Sequence, residues 1–186
     1  AYMSRRMPKI GGTYLQAESE VAAINMVMGA AATGVRAMTS SSTPGISLKS
    51  EGISYMAGSD VPGLIINIQR GSPGLGGIQP SQADYNQATK APGHGDLHIL
   101  VFAPSTVQEM VDMVFTAFDL PEQYRVPAMT LGDGLLGQMM EPIEFPKVEV
   151  KQHAKPRAIK GTKANRVKKV VNSTFLRPEI LDQILF

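Results

Sequence analysis

The apolar pattern between residues 13 and 134 alternates between short continuous runs and stretches with helical spacing. The runs are typical of buried strands, and the stretches place apolar side chains on one face of a helix. The pattern predicts strands at 14–17, 35–39, 64–69, 97–103 and 127–131, and helices at 19–32, 46–58 and 105–118. Because strands that alternate with helices favour a parallel sheet covered on its faces, we predict a three-layer, doubly wound, mostly parallel α/β fold.

The predicted helix at 105–118 has the clearest signals. Apolar residues recur at helical spacing from Val107 to Phe118, and Ser105 to Gln108 has the spacing of a capping box. We expect Leu120-Pro121 to end this helix, because proline breaks helix interiors.

Composition narrows the class of protein. The chain has 186 residues, 43% apolar and 18% charged, which suits one globular domain with a modest appendage. No apolar run approaches the ~20 residues of a membrane span. The absence of cysteine excludes disulfides, a thiol nucleophile and iron–sulfur ligation by this chain, and suits a cytoplasmic location. The three histidines are scattered, so we expect no metal site.

The net charge of +2 hides a division of the chain. Residues 147–177 contain ten Lys or Arg against one acid and carry +9, so the remainder carries −7. Such a basic segment could bind nucleic acid through phosphates, but it lacks interleaved aromatics and any known nucleic-acid module. We therefore expect no nucleic acid, and interpret the segment as a solvated linker or an arm laid over an acidic partner surface.

Three loops follow predicted strands, at 40–45, 70–80 and 132–134. In open parallel sheets, ligands bind beyond the carboxyl ends of the strands, so these loops are candidate sites. The triplet Gly132-Asp133-Gly134 resembles the start of the diphosphate and magnesium motif of thiamine enzymes. The helix and strand of that motif do not follow, so we interpret the triplet as a turn.

Glu18 and Glu20 flank Ser19, a predicted helix N-cap. Acids are stabilised there by the helix dipole, which is a sufficient structural explanation. The small residues that follow, however, would let a flat ligand approach, and a desolvated acid can act as a proton relay. The residues alone do not choose between the two glutamates.

Arg70 ends the apolar run at 64–69 and opens the glycine-rich loop. Its planar guanidinium could bind the carboxylate of a substrate through two hydrogen bonds. The structural alternative is an ion pair with Asp60, Asp84 or another acid. Prolines interrupt the glycines of the loop, so we expect no nucleotide site there.

Three long segments of the sequence resemble one known family. They are QAESEVAAI at 16–24, the stretch from TSSSTPG at residue 39 to GHGD at 96, and QMMEPIEFP at 138–146. Together they resemble the α subunit of thiamine-diphosphate-dependent 2-oxoacid:ferredoxin oxidoreductases, most of all the branched-chain (2-oxoisovalerate) enzyme.

The resemblance implies a domain that holds the aminopyrimidine of thiamine diphosphate. Glu20 matches the glutamate that hydrogen-bonds the pyrimidine N1′, which helps the 4′-nitrogen to remove the C2 proton before decarboxylation. The loop residues Ser42, Thr43, Pro44 and Gly45 are expected to contact the cofactor. Arg70 matches the arginine that holds the substrate carboxylate.

The resemblance also implies partners. A β subunit would carry the diphosphate and Mg²⁺ site, and γ and ferredoxin-like δ subunits would complete the complex. Iron–sulfur clusters would lie in other subunits, ferredoxin would accept the electrons, and coenzyme A would take the acyl group.

The same resemblance divides the chain. We expect residues 1–10 to be the end of a truncated N-terminal segment, 11–145 the pyrimidine-binding domain, and 146–186 a basic linker toward a further domain. We expect such a fragment to be inactive alone. The alternative is a non-catalytic α/β scaffold or regulatory module that docks a partner through its basic arm.

Overall fold

The computed structural model describes residues 2–71, 73–148, 153–160 and 167–174. Its elements are α1 (Tyr2–Arg6), a 3-10 helix (Met7–Ile10), α2 (Glu20–Ala32), β1 (Met38–Ser41), α3 (Thr43–Gly58), β2 (Gly63–Gln69), α4 (Tyr85–Lys90), β3 (Leu100–Phe102), α5 (Val107–Tyr124) and β4 (Pro127–Asp133).

The four strands form one parallel sheet in the order β1-β2-β4-β3. The central pair, β2 and β4, is in register from Gly63 beside Pro127 to Gln69 beside Asp133. All seven residues of β4 are buried. Strands covered on both faces need continuous apolar runs, which is why these two were predicted correctly from the sequence.

Helices cover both faces of the sheet. Ile24 of α2 and Ile53 of α3 pack against Ile65 of β2 in one core cluster. Ala117 of α5 packs with Leu64 on the opposite face. The predicted three-layer, doubly wound α/β fold with a parallel sheet is therefore confirmed.

The predictions for the weaker strands were partly wrong. Residues 14–17 form no strand, and Tyr14 and Leu15 are exposed. The strand predicted at 35–39 begins only at Met38, because Val35 is 55% exposed and precedes the sheet. The strand predicted at 97–103 is confined to Leu100–Phe102.

The boundaries of two helices, α3 and α5, also differ from the predictions. Helix α3 begins at Thr43 rather than at residue 46, with Pro44 in its first turn, where a proline loses no helical hydrogen bond. Helix α5 begins after Thr106, whose hydroxyl accepts a hydrogen bond from the backbone N–H of Glu109. It runs through the buried Pro121 and ends where Arg125 adopts a left-handed conformation.

Part of the basic segment lies on the body of the domain. We call residues 153–160 the strap. Lys155 forms an ion pair with Glu122 and donates to the carbonyl of Gly34, and Arg157 pairs with Asp60. These contacts lie at the edge of the sheet where the strands begin, here called the base. The strap therefore contacts acidic residues of its own chain, whereas the sequence predicted a solvated linker or an arm laid over an acidic partner surface.

Within the described ranges, no helix is long and apolar enough to cross a membrane.

Candidate active site

The carboxyl ends of the strands form one edge of the sheet, which we call the mouth. Helices α2 and α3 both begin at the mouth, because each runs antiparallel to the strands. The loop after β2 and the end of β4 complete it. The parallel topology thus brings together the candidate residues Glu20, 42–45 and Arg70 from distant parts of the sequence.

Glu20 is the first residue of α2. Its N-cap is Ser19, whose hydroxyl accepts a hydrogen bond from the N–H of Ala22 at 3.2 Å. Glu20 is half-buried, whereas Glu18 is exposed. The structure therefore distinguishes two glutamates that the sequence did not, because only Glu20 turns toward the neighbouring helix α3.

Gly45 allows the Glu20 side chain to lie against the start of α3. A β-carbon at position 45 would lie 3.0 Å from Glu20 Cγ and 3.1 Å from its Oε1, and only 2.0 Å from Ser41 Oγ. Any side chain there would displace the Glu20 carboxylate or the end of β1. Of the small residues in α2 that we expected to make room, Gly29 lies farther along the helix and is exposed.

A buried hydrogen-bond network joins α3 to β2. Asn67, fully buried on β2, accepts the backbone N–H of Thr43 at 3.2 Å and so caps the helix, since Ser42 makes no side-chain cap bond. The buried Asp84 accepts the Thr43 hydroxyl at 2.7 Å and the Asn67 amide at 2.9 Å. Its own N–H donates to Gln69 Oε1.

Arg70 is attached to the same network through its backbone. Its N–H donates to Thr43 Oγ1 at 3.2 Å. Its Nε is buried and has no hydrogen-bond partner among the described residues. The described acids also make no ion pair with Arg70. Asp60 pairs instead with Arg125 and Arg157, and Asp84 accepts hydrogen bonds from Thr43 and Asn67. The structural alternative of an ion pair is therefore wrong within that part of the chain.

Lys49 is a buried cation behind Glu20. Its side chain is 1% exposed, and its ammonium donates to Thr39 Oγ1 at 2.9 Å and to the Ser40 carbonyl at 3.3 Å, both on β1. Burial lowers the pKa of Lys49, and the negative charge of Glu20 opposes that shift.

Sequence reasoning missed Lys49, Asn67 and Asp84. One signal was present, because Asn67 interrupts an otherwise apolar strand, and a polar residue in a buried strand needs a partner. Lys49 and Asp84 gave no such signal, since their partners lie nine or more positions away in the sequence.

Among the described residues, the side chains of Asp133 and His94 form no hydrogen bond with the mouth network. Asp133 ends β4, and its carboxylate accepts the backbone N–H groups of Leu135 and Leu136, which agrees with the predicted turn. The backbone N–H of His94 donates to Ser54 Oγ, and its ring packs edge-on against Tyr55.

A cluster at the base has the spacing of metal ligands. Asp119, Glu122 and His153 place one ligand atom each within 4.8 Å of one another. Arg36 binds both carboxylates and Lys155 binds Glu122. Because cations of the chain already neutralise the carboxylates, we interpret the cluster as an ion-pair network.

The fold and the mouth together define a parallel α/β domain with an acid at the start of a helix and an arginine directly after a central strand. Residues 1–181 match the family described as pyruvate flavodoxin/ferredoxin oxidoreductase, thiamine diphosphate-binding. The chain belongs to this family. The predicted family is therefore confirmed.

Individual relatives agree with this assignment. The chain is 50% identical, over 98% of its length, to ketoisovalerate oxidoreductase subunit VorB of Methanothermobacter thermautotrophicus. It is 43% identical over 83% of its length to 2-oxoglutarate synthase subunit KorA of the same organism. It covers 52% and 41% of these proteins, so it spans about half the length of the relatives it matches.

A solved structure shares the fold. The 2-oxoglutarate:ferredoxin oxidoreductase from Magnetococcus marinus, with 2-oxoglutarate, coenzyme A and succinyl-CoA bound, matches with a TM-score of 0.81 at 26% identity. The match covers 99% of this chain and 37% of that one. The fold described above is thus that of one region of a larger enzyme chain.

Proposed function

We propose that this chain holds the aminopyrimidine half of thiamine diphosphate in a 2-oxoacid:ferredoxin oxidoreductase. The reaction would be oxidative decarboxylation of a 2-oxoacid to its acyl-CoA, with electrons passed to ferredoxin. One observation carries the proposal: the half-buried Glu20 packs against Gly45 at the mouth, beside the network that holds Arg70.

The residues of the mouth suit the pyrimidine ring of the cofactor and the carboxylate of a 2-oxoacid chemically. Glu20 offers a half-buried carboxyl that could share a proton with the pyrimidine N1′, and Gly45 leaves space beside it. Ser42, Thr43 and Pro44 would line the cofactor beside them at the start of α3. The Nε of Arg70, which has no partner in the described part of the chain, is a donor that a substrate carboxylate would satisfy. Bound thiamine diphosphate would supply the electron sink for decarboxylation.

The proposed test compares two neighbouring glutamates in the full complex. Glu20→Gln should lower turnover by about 10²–10⁴-fold, the usual range for losing an acid–base group. Glu18→Gln removes the same charge from an exposed side chain two residues away, and turnover should stay near that of the parent. Near-normal turnover in Glu20→Gln would refute the role of Glu20.

A branched-chain 2-oxoacid is the proposed substrate, because the identity to the ketoisovalerate subunit is higher than to the 2-oxoglutarate subunit. A panel of 2-oxoisovalerate, pyruvate and 2-oxoglutarate with a low-potential electron acceptor tests this choice. The highest kcat/KM should fall on the branched-chain acid, and a preference for either rival would contradict it.

Partner subunits would complete the site. The mouth exposes apolar side chains on two of its loops: Leu75 and Ile78 follow β2, and Leu135 follows β4. Such exposed apolar groups are typical of surfaces that other proteins cover. We assign the diphosphate and Mg²⁺ to a β subunit, and the iron–sulfur clusters to γ, δ or β chains, since this chain has no cysteine.

The isolated complex should therefore contain thiamine diphosphate, Mg²⁺ and iron, together with the partner subunits. Isolation of a complex that contains no thiamine diphosphate would contradict the assignment.

The lack of cysteine also supports a cytoplasmic location, which cell fractionation would test. We retain the proposed divisions at residues 10 and 145, which limited proteolysis of the full-length subunit would test.

A further inference from the structure

Lys49 stands out among the buried residues because it is a cation for which the described residues offer no direct anionic partner. Its ammonium is fixed between α3 and β1 by the hydroxyl of Thr39 and the carbonyl of Ser40, which are neutral acceptors. Burying a charge is unfavourable unless an opposite charge offsets the lost hydration. A methionine would fill the same space without that penalty, so packing alone does not explain a lysine here.

The acid that faces Lys49 is Glu20. Glu20 lies against Gly45, and Lys49 follows Gly45 by four positions, so both lie on the same side of α3. The carboxylate and the ammonium do not come within the 4.0 Å of a direct ion pair. They interact through a low-dielectric interior, where charges are felt over longer distances than in water.

We propose that Lys49 is a positioning residue for Glu20: its fixed positive charge attracts the Glu20 carboxylate and keeps that side chain turned inward against α3. This inference rests on the proposed role of Glu20. A carboxyl held in that orientation would stay within hydrogen-bonding reach of a ring nitrogen of a bound pyrimidine. Lys49 itself would touch neither cofactor nor substrate.

The arrangement leaves the mouth accessible. The Lys49 ammonium is held by β1, so its positive charge attracts the Glu20 carboxylate from the interior of the domain. The carboxyl can then bind a ligand on its other side. A direct ion pair would instead occupy the carboxylate oxygens that a ring nitrogen needs.

The test uses the full-length subunit assembled with its partners and loaded with thiamine diphosphate. The readout is the rate at which the C2 proton of the bound cofactor exchanges with deuterium, measured by NMR after acid quench. Lys49→Met keeps the length of the side chain and removes the charge. We expect exchange to slow by about tenfold, which corresponds to about 1.4 kcal/mol of lost transition-state stabilisation, with little change in cofactor affinity or in Tm.

Two comparisons separate positioning from packing. Lys90→Met removes the same charge from an exposed side chain of α4, and its exchange rate should equal that of the parent. If Lys49 acts through Glu20, adding Lys49→Met to Glu20→Gln should produce no further slowing.

Each outcome has one meaning. Unchanged exchange in Lys49→Met, or the full slowing also in the Glu20→Gln background, overturns the inference about Lys49 alone. Unchanged exchange in Glu20→Gln overturns the proposed function itself. Thr39→Val is a second variant that keeps the charge but removes one acceptor of the ammonium. We expect its exchange to be slowed less than that of Lys49→Met.

Discussion

The two ends of the sheet use charge in opposite ways. At the base, Lys155 pairs with Glu122 and Arg157 with Asp60, so cations and acids neutralise each other. At the mouth, within the described ranges, Arg70 Nε has no partner and Lys49 binds only neutral acceptors. Charges satisfied within the chain stabilise the fold, whereas the guanidinium of Arg70 would be available to a ligand and the buried ammonium of Lys49 would act through Glu20.

Replacing Arg70 should have the largest effect that follows from this comparison. Arg70→Met in the full complex should lower kcat/KM for the 2-oxoacid by roughly a hundredfold, because losing a charged hydrogen bond costs about 2–3 kcal/mol. Steady-state kinetics would measure it. Arg157→Met, which removes a base arginine, serves as the control and should leave kcat/KM unchanged. Equal losses in both variants would contradict the distinction between mouth and base.

A smaller effect is expected at the base, on stability rather than activity. Glu122→Gln should lower the stability by about 2 kcal/mol, since the mostly buried Glu122 carboxylate binds both Arg36 and Lys155. Thermal unfolding of the full-length subunit would measure it. Asp112→Asn removes a charge from an exposed position of the same helix and should change Tm little. A Tm as low in Asp112→Asn as in Glu122→Gln would contradict this interpretation.

The smallest effect concerns the exposed N-terminal cap of α5, which belongs to neither network. The backbone N–H and hydroxyl of Ser105 donate to Glu109, which lowers the pKa of that carboxyl below its usual value of 4.5. A lowered pKa in the folded state adds stability above the unfolded pKa, and this contribution is lost as the pH falls through the folded pKa.

Glu109→Gln should therefore show a flatter decline of Tm with acidification than the parent between about pH 6 and 3. The two proteins are compared by thermal unfolding across that range. Parallel curves would mean that the cap does not contribute through its charge.

The sequence predicted what depends on local patterns. The central strands were found because burial on both faces demands continuous apolar runs, as in residues 64–69. The strand predicted at 14–17 failed because apolar residues can also be exposed, as Leu15 is. Pro121 did not end α5, since tertiary packing buries its ring and outweighs the lost helical hydrogen bond.

The candidate site was predictable only in part. Glu20 and Arg70 were proposed from the family resemblance together with their places at a helix start and a strand end, and the parallel topology does bring both to the mouth. The contacts of Lys49 and Asp84 depend on tertiary packing between segments far apart in sequence, which no local pattern encodes. Their roles stay predictions until the variants are measured.

The hydroxyl of Thr43 has one proton to give, and it gives that proton to Asp84 while accepting from the N–H of Arg70. The direction of each of these two hydrogen bonds is therefore fixed. The start of α3 and the end of β2 cannot move independently without breaking one of them. The entropy of ordering these segments has been lost during folding rather than at the moment of binding, which makes the mouth preorganised for an incoming ligand.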